Sequence, residues 1–267
     1  MIRLLMLAVI AGLVIARIWP STATATEGFA NTIADTPVLE EEMDNALDLP
    51  WLASWSAMDR TARKGQTCTV LSREPGPANT TIEIVSSSCE AGMAHTRAGD
   101  RIVIPESIPL AARPDTIRHE LVHIFQRKKP DVWADFYRRS WSFELFNEPP
   151  TGIPKEYVAA RRSNPDTWTK PWSCWMGRHW PVQIYKGPQS PQLRESRLMW
   201  WDSWRSQMTD TSPEGWNSFF GTQSQEEHPN ELSAVLLTAD DTATEAGRRL
   251  QAWWQSEGLR QGFSLAS

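Results

Sequence analysis

The sequence predicts an α+β protein in which a small antiparallel or mixed sheet precedes a series of helices. Three runs rich in β-branched residues come first, and turn-forming residues separate them. Several of the later segments show the apolar spacing of helices, and this part of the chain is rich in Trp. We therefore expect a sheet and its first helix within residues 51–129, and a mainly helical, Trp-rich C-terminal lobe over residues 130–267.

The predicted sheet begins with a β-hairpin. Residues 67–71 (Thr-Cys-Thr-Val-Leu) and 80–85 (Thr-Thr-Ile-Glu-Ile-Val) are its arms, and the Pro- and Gly-containing segment 74–78 connects them. Residues 100–105 form a third strand that ends at a proline. This third strand is either a plain structural strand or an edge strand along which an extended peptide would lie.

The C-terminal lobe is predicted from apolar spacing and from its aromatic content. The pattern indicates helices over residues 131–146, 193–208, 229–238 and 242–254, with irregular structure after the first of them. The chain contains 15 Trp but only 3 Tyr. So many large rings predict a core built from them, and an aromatic-lined cleft is the alternative.

The first 25 residues have the layout of a secretory signal peptide. Arg3 precedes the apolar run 4–16, and an Ala-Thr-Ala sequence resembles a cleavage site. A spanning helix needs about 20 apolar residues, and Arg17 interrupts this run. We expect a cleaved signal peptide over residues 1–25, with an uncleaved membrane anchor or a transit peptide as alternatives. The acidic segment 26–50 then predicts a solvated linker.

Net charge and cysteine content indicate the class of protein and the cellular compartment that the chain fits. A net charge of -5 without a basic cluster argues against a nucleic-acid-binding protein. Cys68 and Cys89 flank the predicted hairpin, so a disulfide across its arms fits a secreted or lumenal protein, and Cys174 is left over. The domain over residues 51–267 is accordingly expected on the non-cytoplasmic side of the membrane.

The sequence His-Glu-Leu-Val-His begins at His119 on the best-defined predicted helix. We expect Asp115 to be the N-cap of this helix and Pro130 to end it. Residues four apart share one helix face, with Cβ atoms about 5–6 Å apart, so His119 and His123 can bind one zinc ion. Glu120 can reach a metal-bound water and act as a general base.

A catalytic zinc site needs a third protein ligand, and Glu231 is the preferred residue. It lies in the first turn of the predicted helix 229–238, and Ala234 one turn later is small enough to let this helix approach the first. The alternative third ligands are His228, Glu144 and Glu148.

Together these two helices resemble a known family. His-Glu-Leu-Val-His with the downstream Asn-Glu-Leu-Ser-Ala is similar to the gluzincin zinc metallopeptidases. It resembles more closely the uncharacterised HExxH proteins in which an Arg-His-Glu-Leu-Val-His-Ile-Phe-Gln-Arg helix precedes a Pro-Asn-Glu helix. The resemblance implies that His119, His123 and Glu231 bind Zn²⁺ and that Glu120 is the base.

The expected activity is therefore hydrolysis of a peptide or protein substrate by a metal-activated water. Tyr185 is the preferred donor to the developing oxyanion, with His179 and His228 as rivals, and an ordinary packed phenol is the alternative for Tyr185. Two other interpretations remain open at this point. The chain is an inactive zinc- or partner-binding protein that keeps the fold, or the His-Glu-Leu-Val-His sequence is a coincidence on a structural helix.

Overall fold

The computed structural model describes residues 45–64, 66, 68–187, 189–221 and 226–265. The predicted signal segment 1–25 and residues 26–44 of the predicted linker lie outside these residues. Helix α1 (Asn45–Ala53) crosses the predicted boundary at residue 50, and its buried Asp48 pairs with Arg101 at 3.0 Å. Helix α2 (Ala57–Ala62) follows. Among the described helices, none combines the length and apolar character needed to cross a membrane.

A four-stranded mixed sheet comes next in the chain. Its strands are β1 (Val70–Pro75), β2 (Thr81–Val85), β3 (His95–Arg97) and β4 (Arg101–Pro105). They are arranged in the order β1-β2-β4-β3, with β1 and β2 as the predicted hairpin and β4 as the predicted third strand. Cys68 and Cys89 form the expected disulfide, and Cys174 is a buried free thiol.

β4 is an inner strand, so of the two interpretations of residues 100–105 the structure supports a plain structural strand and excludes a peptide-binding edge. β4 pairs in parallel with β2 on one side and antiparallel with β3 on the other. β3 has only three residues, too few for a sequence pattern to reveal, and it takes the edge position. The Thr96 N–H donates to Asp166 Oδ1 at 2.9 Å, so a side chain already meets this edge amide.

Helix α3 (Arg113–Lys128) carries the His-Glu-Leu-Val-His sequence and packs beside this sheet. It begins earlier than predicted, and Asp115 lies in its first turn rather than at the N-cap. The reason is that Pro114 fits the first turn, where an N–H group would have no helical partner. Its core-facing residues are Leu121, Val122, Ile124 and Phe125.

The predicted helix over residues 131–146 is shorter in the structure. Helix α4 (Pro130–Phe136) continues into a π-helical turn, and Ser142 then adopts a left-handed conformation (φ 58°). The chain leaves this turn as strand β5 (Phe143–Phe146). Antiparallel pairing with residues 172–175 outweighs the helical pattern here.

A five-stranded antiparallel sheet lies within residues 143–209, so the prediction of a mainly helical lobe is wrong there. After helix α5 (Lys155–Ala159) come β6 (Trp172–Trp175), β7 (His179–Tyr185), β8 (Ser196–Asp202) and β9 (Gln207–Thr209). The order is β5-β6-β7-β8-β9. The predicted helix 193–208 contains β8 and the start of β9. Its apolar run is too short for periodicity to distinguish a helix from a buried strand, and pairing with β7 decides the outcome.

Three further helices are described towards the C-terminus. They are α6 (Trp216–Phe220), α7 (Pro229–Thr238) and α8 (Glu245–Trp253). α7 has the predicted bounds and packs against α3, which brings the two predicted metal-carrying helices side by side. Trp side chains fill the core as predicted, and those among the largest fully buried residues are Trp51, Trp133, Trp141, Trp200 and Trp216.

Candidate metal centre

Three side chains from α3 and α7 meet at one point. The Nε2 atoms of His119 and His123 are 3.2 Å apart. Glu231 reaches both of them, with Oε2 3.5 Å from His119 Nε2 and Oε1 3.3 Å from His123 Nε2. The structure therefore brings together the three residues expected from the sequence to hold a metal ion.

The distance between the two histidine nitrogens, and the distance from each nitrogen to the nearer oxygen of Glu231, are close to those between neighbouring ligands of a tetrahedral ion. Two atoms that each lie about 2.0–2.1 Å from an ion, at the tetrahedral angle, are about 3.3–3.4 Å apart. The observed distances of 3.2, 3.3 and 3.5 Å lie on either side of this value. An ion among these ligands would keep a fourth position for water or substrate.

Gln126 sets the orientation of His123. The Gln126 Nε2 atom lies 3.0 Å from the backbone carbonyl oxygen of Asn230, which can only accept a hydrogen bond, so this atom is the amide donor. The Gln126 Oε1 atom then faces His123 Nδ1 at 2.8 Å, and the imidazole must donate its Nδ1–H. The lone pair of neutral His123 is therefore on Nε2, where it points to the other two ligands.

The same amide ties the two helices together. Besides the Asn230 carbonyl, Gln126 Nε2 lies 2.9 Å from Ser233 Oγ on α7 and 3.1 Å from the Tyr137 hydroxyl, and its two hydrogens are shared among these three acceptors. The Tyr137 and Ser233 hydroxyls are 2.8 Å apart, and all three side chains are buried. We call Gln126, Tyr137 and Ser233 the helix clasp. It fixes the distance between the helix of the histidines and the helix of Glu231.

Glu231 is positioned by its own neighbours. The Asn164 Nδ2 group donates to Glu231 Oε1 at 2.9 Å. At the start of α7, His228 Nδ1 accepts the Asn230 N–H at 3.2 Å, and His228 Nε2–H donates to the Lys170 carbonyl at 3.0 Å. Both nitrogens of His228 are thus committed, and the structure gives it the role of a helix cap rather than that of a third ligand or oxyanion donor. Burial lowers its pKa to about 4.

The remaining alternative ligands lie elsewhere. Glu144 is on β5, Glu148 follows that strand, and both are exposed. Neither belongs to the groups of described residues whose side chains could share an ion. Among the carboxylates considered from the sequence, Glu231 is the one that reaches the histidine pair.

Glu120 is buried beside the histidines. Its Oε2 atom has no hydrogen-bond partner among the described residues. Burial, together with the carboxylates of Asp166 and Glu231, raises the pKa of Glu120 well above its ordinary value, although His123 opposes the rise. A cation bound at the histidines would favour the ionised carboxylate. Glu120 therefore has the position and the basicity of a group that accepts a proton at this site.

The surroundings of the histidines are strongly negative. Burial disfavours a charge on His123, but the carboxylates of Glu231 and Asp166 outweigh this and raise its pKa to about 10. Asp166 Oδ1 accepts hydrogen bonds from the hydroxyl and the backbone N–H of Thr96, and a guanidinium nitrogen of Arg127 lies 3.9 Å from the same oxygen. The site thus favours a positive charge at the point where the three ligand atoms meet.

A cavity of about 300 Å³ opens onto these residues. Its lining includes His119, Glu120 and Glu231 together with Asn164 and Asp166. A volume of this size is at the lower end of the range for small-molecule sites. The side chains of the candidate metal centre are therefore reachable by a small ligand or by one end of a larger one.

Two residues expected from the sequence to donate to an oxyanion lie away from this cavity. The Tyr185 hydroxyl is buried and donates to Asp59 Oδ1 at 2.8 Å, and the phenol is absent from the cavity lining. Burial and the negative charge of Asp59 raise the pKa of Tyr185 above its ordinary value. His179 lines a separate cavity of about 660 Å³ at the hairpin ends of the second sheet. The structure brings neither side chain to the metal ligands.

The sequence interpretation missed the residues that support the ligands. Gln126 could have been found, because it follows His123 by three positions and so shares its helix face. Tyr137 and Ser233 lie on other elements, far along the chain from the histidines, and no local pattern connects them. Asn164 and Asp166 belong to an Asn-Pro-Asp segment whose composition indicates only a turn.

Comparisons with known proteins identified no relative of this chain. No protein-family model matches the chain, and no curated protein or solved structure shows significant similarity to it. The function is therefore inferred from the chemistry of the site itself.

Proposed function

We propose that this chain is a zinc-dependent metallopeptidase. His119, His123 and Glu231 would hold Zn²⁺, and Glu120 would be the general base. The observation that carries the proposal is the convergence of three side chains: the two histidine Nε2 atoms are 3.2 Å apart, and the two oxygens of the Glu231 carboxylate lie 3.3 and 3.5 Å from one nitrogen each. A catalytic zinc site with two histidines and one glutamate has this donor set and keeps one position open.

The donor chemistry favours zinc over the hard cations. Mg²⁺ and Ca²⁺ prefer six or more oxygen ligands, whereas this cluster offers two imidazole nitrogens and one carboxylate. Bound here, Zn²⁺ would supply a Lewis acid and lower the pKa of a water ligand to about 7. The tautomer that Gln126 imposes on His123 presents Nε2 as a lone-pair donor, as metal binding requires.

Glu120 moves the proton in this proposal. Its partnerless Oε2 accepts a proton from the attacking water and later delivers it to the leaving amine. The neighbouring carboxylates of Asp166 and Glu231 make its proton affinity high for a glutamate, which suits both steps. Asn164 and the helix clasp do not react, and they hold the ligands in place.

The Glu120→Gln variant tests the proposal. It removes the base but keeps the volume of the side chain, so we expect about one zinc per chain and a fall in peptide hydrolysis of at least 100-fold. Metal content is measured on the purified protein, and cleavage is measured with a peptide library read by mass spectrometry. Glu144→Gln is the matched control, because Glu144 is an exposed glutamate on β5 and should leave both readouts unchanged.

Other outcomes would point to the alternatives. Full zinc content without cleavage of any peptide would make the chain a zinc-binding protein that is not a peptidase. The absence of zinc from the purified protein and after reconstitution would remove the metal centre altogether. Turnover that survives Glu120→Gln would exclude the assigned base.

A further inference from the structure

The cavity at the candidate metal centre is also lined by a buried histidine. His95, on the edge strand β3, is 1% exposed and lines the same cavity as His119 and Glu120. Its Nδ1 atom is 3.2 Å from the carbonyl oxygen of Met93, which can only accept, so Nδ1 carries the hydrogen. Its Nε2 atom has no hydrogen-bond partner among the described residues.

Neutral His95 therefore presents a hydrogen-bond acceptor without a donor to meet it. Burial and the charge of Arg97 lower the pKa of His95 to about 4, so the ring stays neutral near pH 7. A buried polar atom without a partner destabilises the fold, which makes a ligand donor at this position favourable. His95 makes no use of Nε2 in the fold, and the metal centre does not use it either.

A second partnerless acceptor lies on the same cavity. Gln183, from the middle of β7, lines it, and its buried Oε1 atom has no hydrogen-bond partner among the described residues. Glu226 also lines the cavity, and burial together with Glu231 and Glu227 raises its pKa to about 8. His95 and Gln183 provide acceptors, and a positive charge beside Glu226 would favour its ionised carboxylate, which is a third acceptor.

Cations of the protein balance the carboxylates of this cavity only in part, because Arg63 pairs with Glu90 at 3.0 Å and Arg127 lies 3.9 Å from Asp166. Carboxyl groups of the cavity lining belong to Glu90, Glu120, Asp166, Glu226 and Glu231. Among the described lining residues, Arg162 is the one with a permanent positive charge. Its guanidinium contacts Met93 Sδ at 3.3 Å, and its charge already acts on Glu226 and Glu227. The cavity therefore suits a ligand that brings donors and positive charge.

We propose that His95 and Gln183, with Glu226, form a subsite for a primary ammonium group of the substrate. A primary ammonium has three N–H donors and no acceptor, which complements these acceptors. The inference deepens the proposed peptidase function and rests on it, because the metal ligands place the scissile bond in the same cavity. The ammonium is either the α-amino group of the peptide or the side chain of a lysine next to the cleaved bond.

Calorimetry with three probes tests the subsite. Leucyl-glycinamide carries an α-ammonium, N-acetyl-lysyl-glycinamide carries a side-chain ammonium, and N-acetyl-leucyl-glycinamide carries neither. The protein is the zinc-loaded chain with Glu120→Gln, which prevents turnover. Charge-assisted hydrogen bonds predict that one ammonium probe binds about 10- to 100-fold more tightly than the neutral probe. The identity of the tighter probe distinguishes the two ammonium sources.

Variants of His95 show whether the preference comes from this subsite. In the His95→Leu background the ratio of the affinity for the ammonium probe to the affinity for the neutral probe should fall to about one. His95→Gln should restore part of this ratio, because its amide offers an acceptor. His179→Leu, in the other cavity, should leave the ratio unchanged. If His95→Leu does not fold, Gln183→Leu provides the same comparison, with a smaller expected loss.

The outcomes separate this inference from the proposed function. Equal binding of all three probes, no binding of either ammonium probe, or a ratio that His95→Leu leaves unchanged would overturn the ammonium subsite. Those results would leave zinc content and peptide cleavage untouched, and these are measured separately on the chain with Glu120 intact. Loss of zinc or of all cleavage would instead refute the peptidase function.

Discussion

Removal of the Gln126 side-chain amide should weaken metal binding without removing a metal ligand. In Gln126→Leu, the buried Nδ1–H of His123 loses the acceptor 2.8 Å away. Asn230, Tyr137 and Ser233 keep other partners, because the Ser233 hydroxyl contacts both the Tyr137 hydroxyl and the Asn230 carbonyl. The loss therefore concentrates on His123, whose tautomer and ring orientation are no longer imposed.

The expected magnitude follows from these contacts. Loss of a hydrogen-bond partner behind a ligating histidine lowers metal affinity about 10- to 100-fold. One buried donor left without a partner also costs the fold about 1–3 kcal/mol. We therefore expect zinc affinity to fall by one to two powers of ten, about 1.4–2.7 kcal/mol, together with a comparable loss of unfolding free energy in the metal-free protein.

Zinc affinity is best measured by competition with a chromogenic chelator, and stability by urea unfolding of the metal-free chain. Tyr137→Phe is the matched control, because it removes a different polar group of the helix clasp, the Tyr137 hydroxyl, but leaves the His123–Gln126 hydrogen bond intact. It should lower stability but leave zinc affinity within about threefold of the wild type. This change in affinity is smaller than the one expected for Gln126→Leu, because Tyr137 does not hydrogen-bond His123. If Gln126→Leu lost stability but bound zinc as tightly as Tyr137→Phe, the clasp would be purely structural.

Three further variants have separate expected outcomes. Asn164→Ala removes the donor to Glu231 Oε1 and should lower zinc affinity about tenfold in the same competition assay. Tyr185→Phe removes one of the donors to Asp59 and should cost about 1–2 kcal/mol in urea unfolding with unchanged peptide turnover; a 100-fold loss of turnover with the fold intact would restore Tyr185 as an oxyanion donor. His228 has a pKa lowered to about 4 in the fold, below its unfolded value, so the unfolded chain binds more protons between these values and stability falls as pH drops from about 6.5 to 4. His228→Asn keeps an N-cap without titrating and should reduce this loss by up to about 3 kcal/mol in metal-free urea unfolding; an unchanged pH profile would contradict the assignment.

The first half of the fold was predictable because its signals are local. The hairpin arms are β-branched runs on either side of a turn-rich connection, and α3 has a proline at each end with apolar spacing between. The place of a strand in its sheet is not a local property. β4 became an inner strand because β3, only three residues long, pairs along its free side.

The second sheet could not be predicted for a related reason. The segment Arg-Leu-Met-Trp-Trp-Asp of β8 is apolar over too few positions to show a period of two or of 3.6. Its conformation is decided by pairing with β7 and β9, which are separate elements of the chain. The same limit applied to Phe143–Phe146, where pairing with β6 replaced the helix that the apolar spacing favoured.

The candidate metal ligands were more predictable than the residues that hold them. Placing His119 and His123 on one face requires only the pitch of a helix, and Glu231 stood at the start of a second helix with a clear proline signal. The clasp and Asn164 are side-chain contacts between segments separated by 11 to 107 residues. Hydrogen bonds of this kind depend on the tertiary packing of the folded chain, so no spacing in the sequence predicts them.

The charges buried at the site are compatible with the proposed metal. Glu120, Asp166 and Glu231 are all 7% exposed or less and lie around a pair of histidines. Buried carboxylates in such proximity repel one another and lose hydration, which destabilises a fold unless cations compensate. Arg127 contributes one positive charge at 3.9 Å from Asp166. In the metal-free chain, protons on His123 and Glu120, whose pKa values are both raised, supply the remaining compensation. A divalent cation between His119, His123 and Glu231 would take the place of the proton on His123.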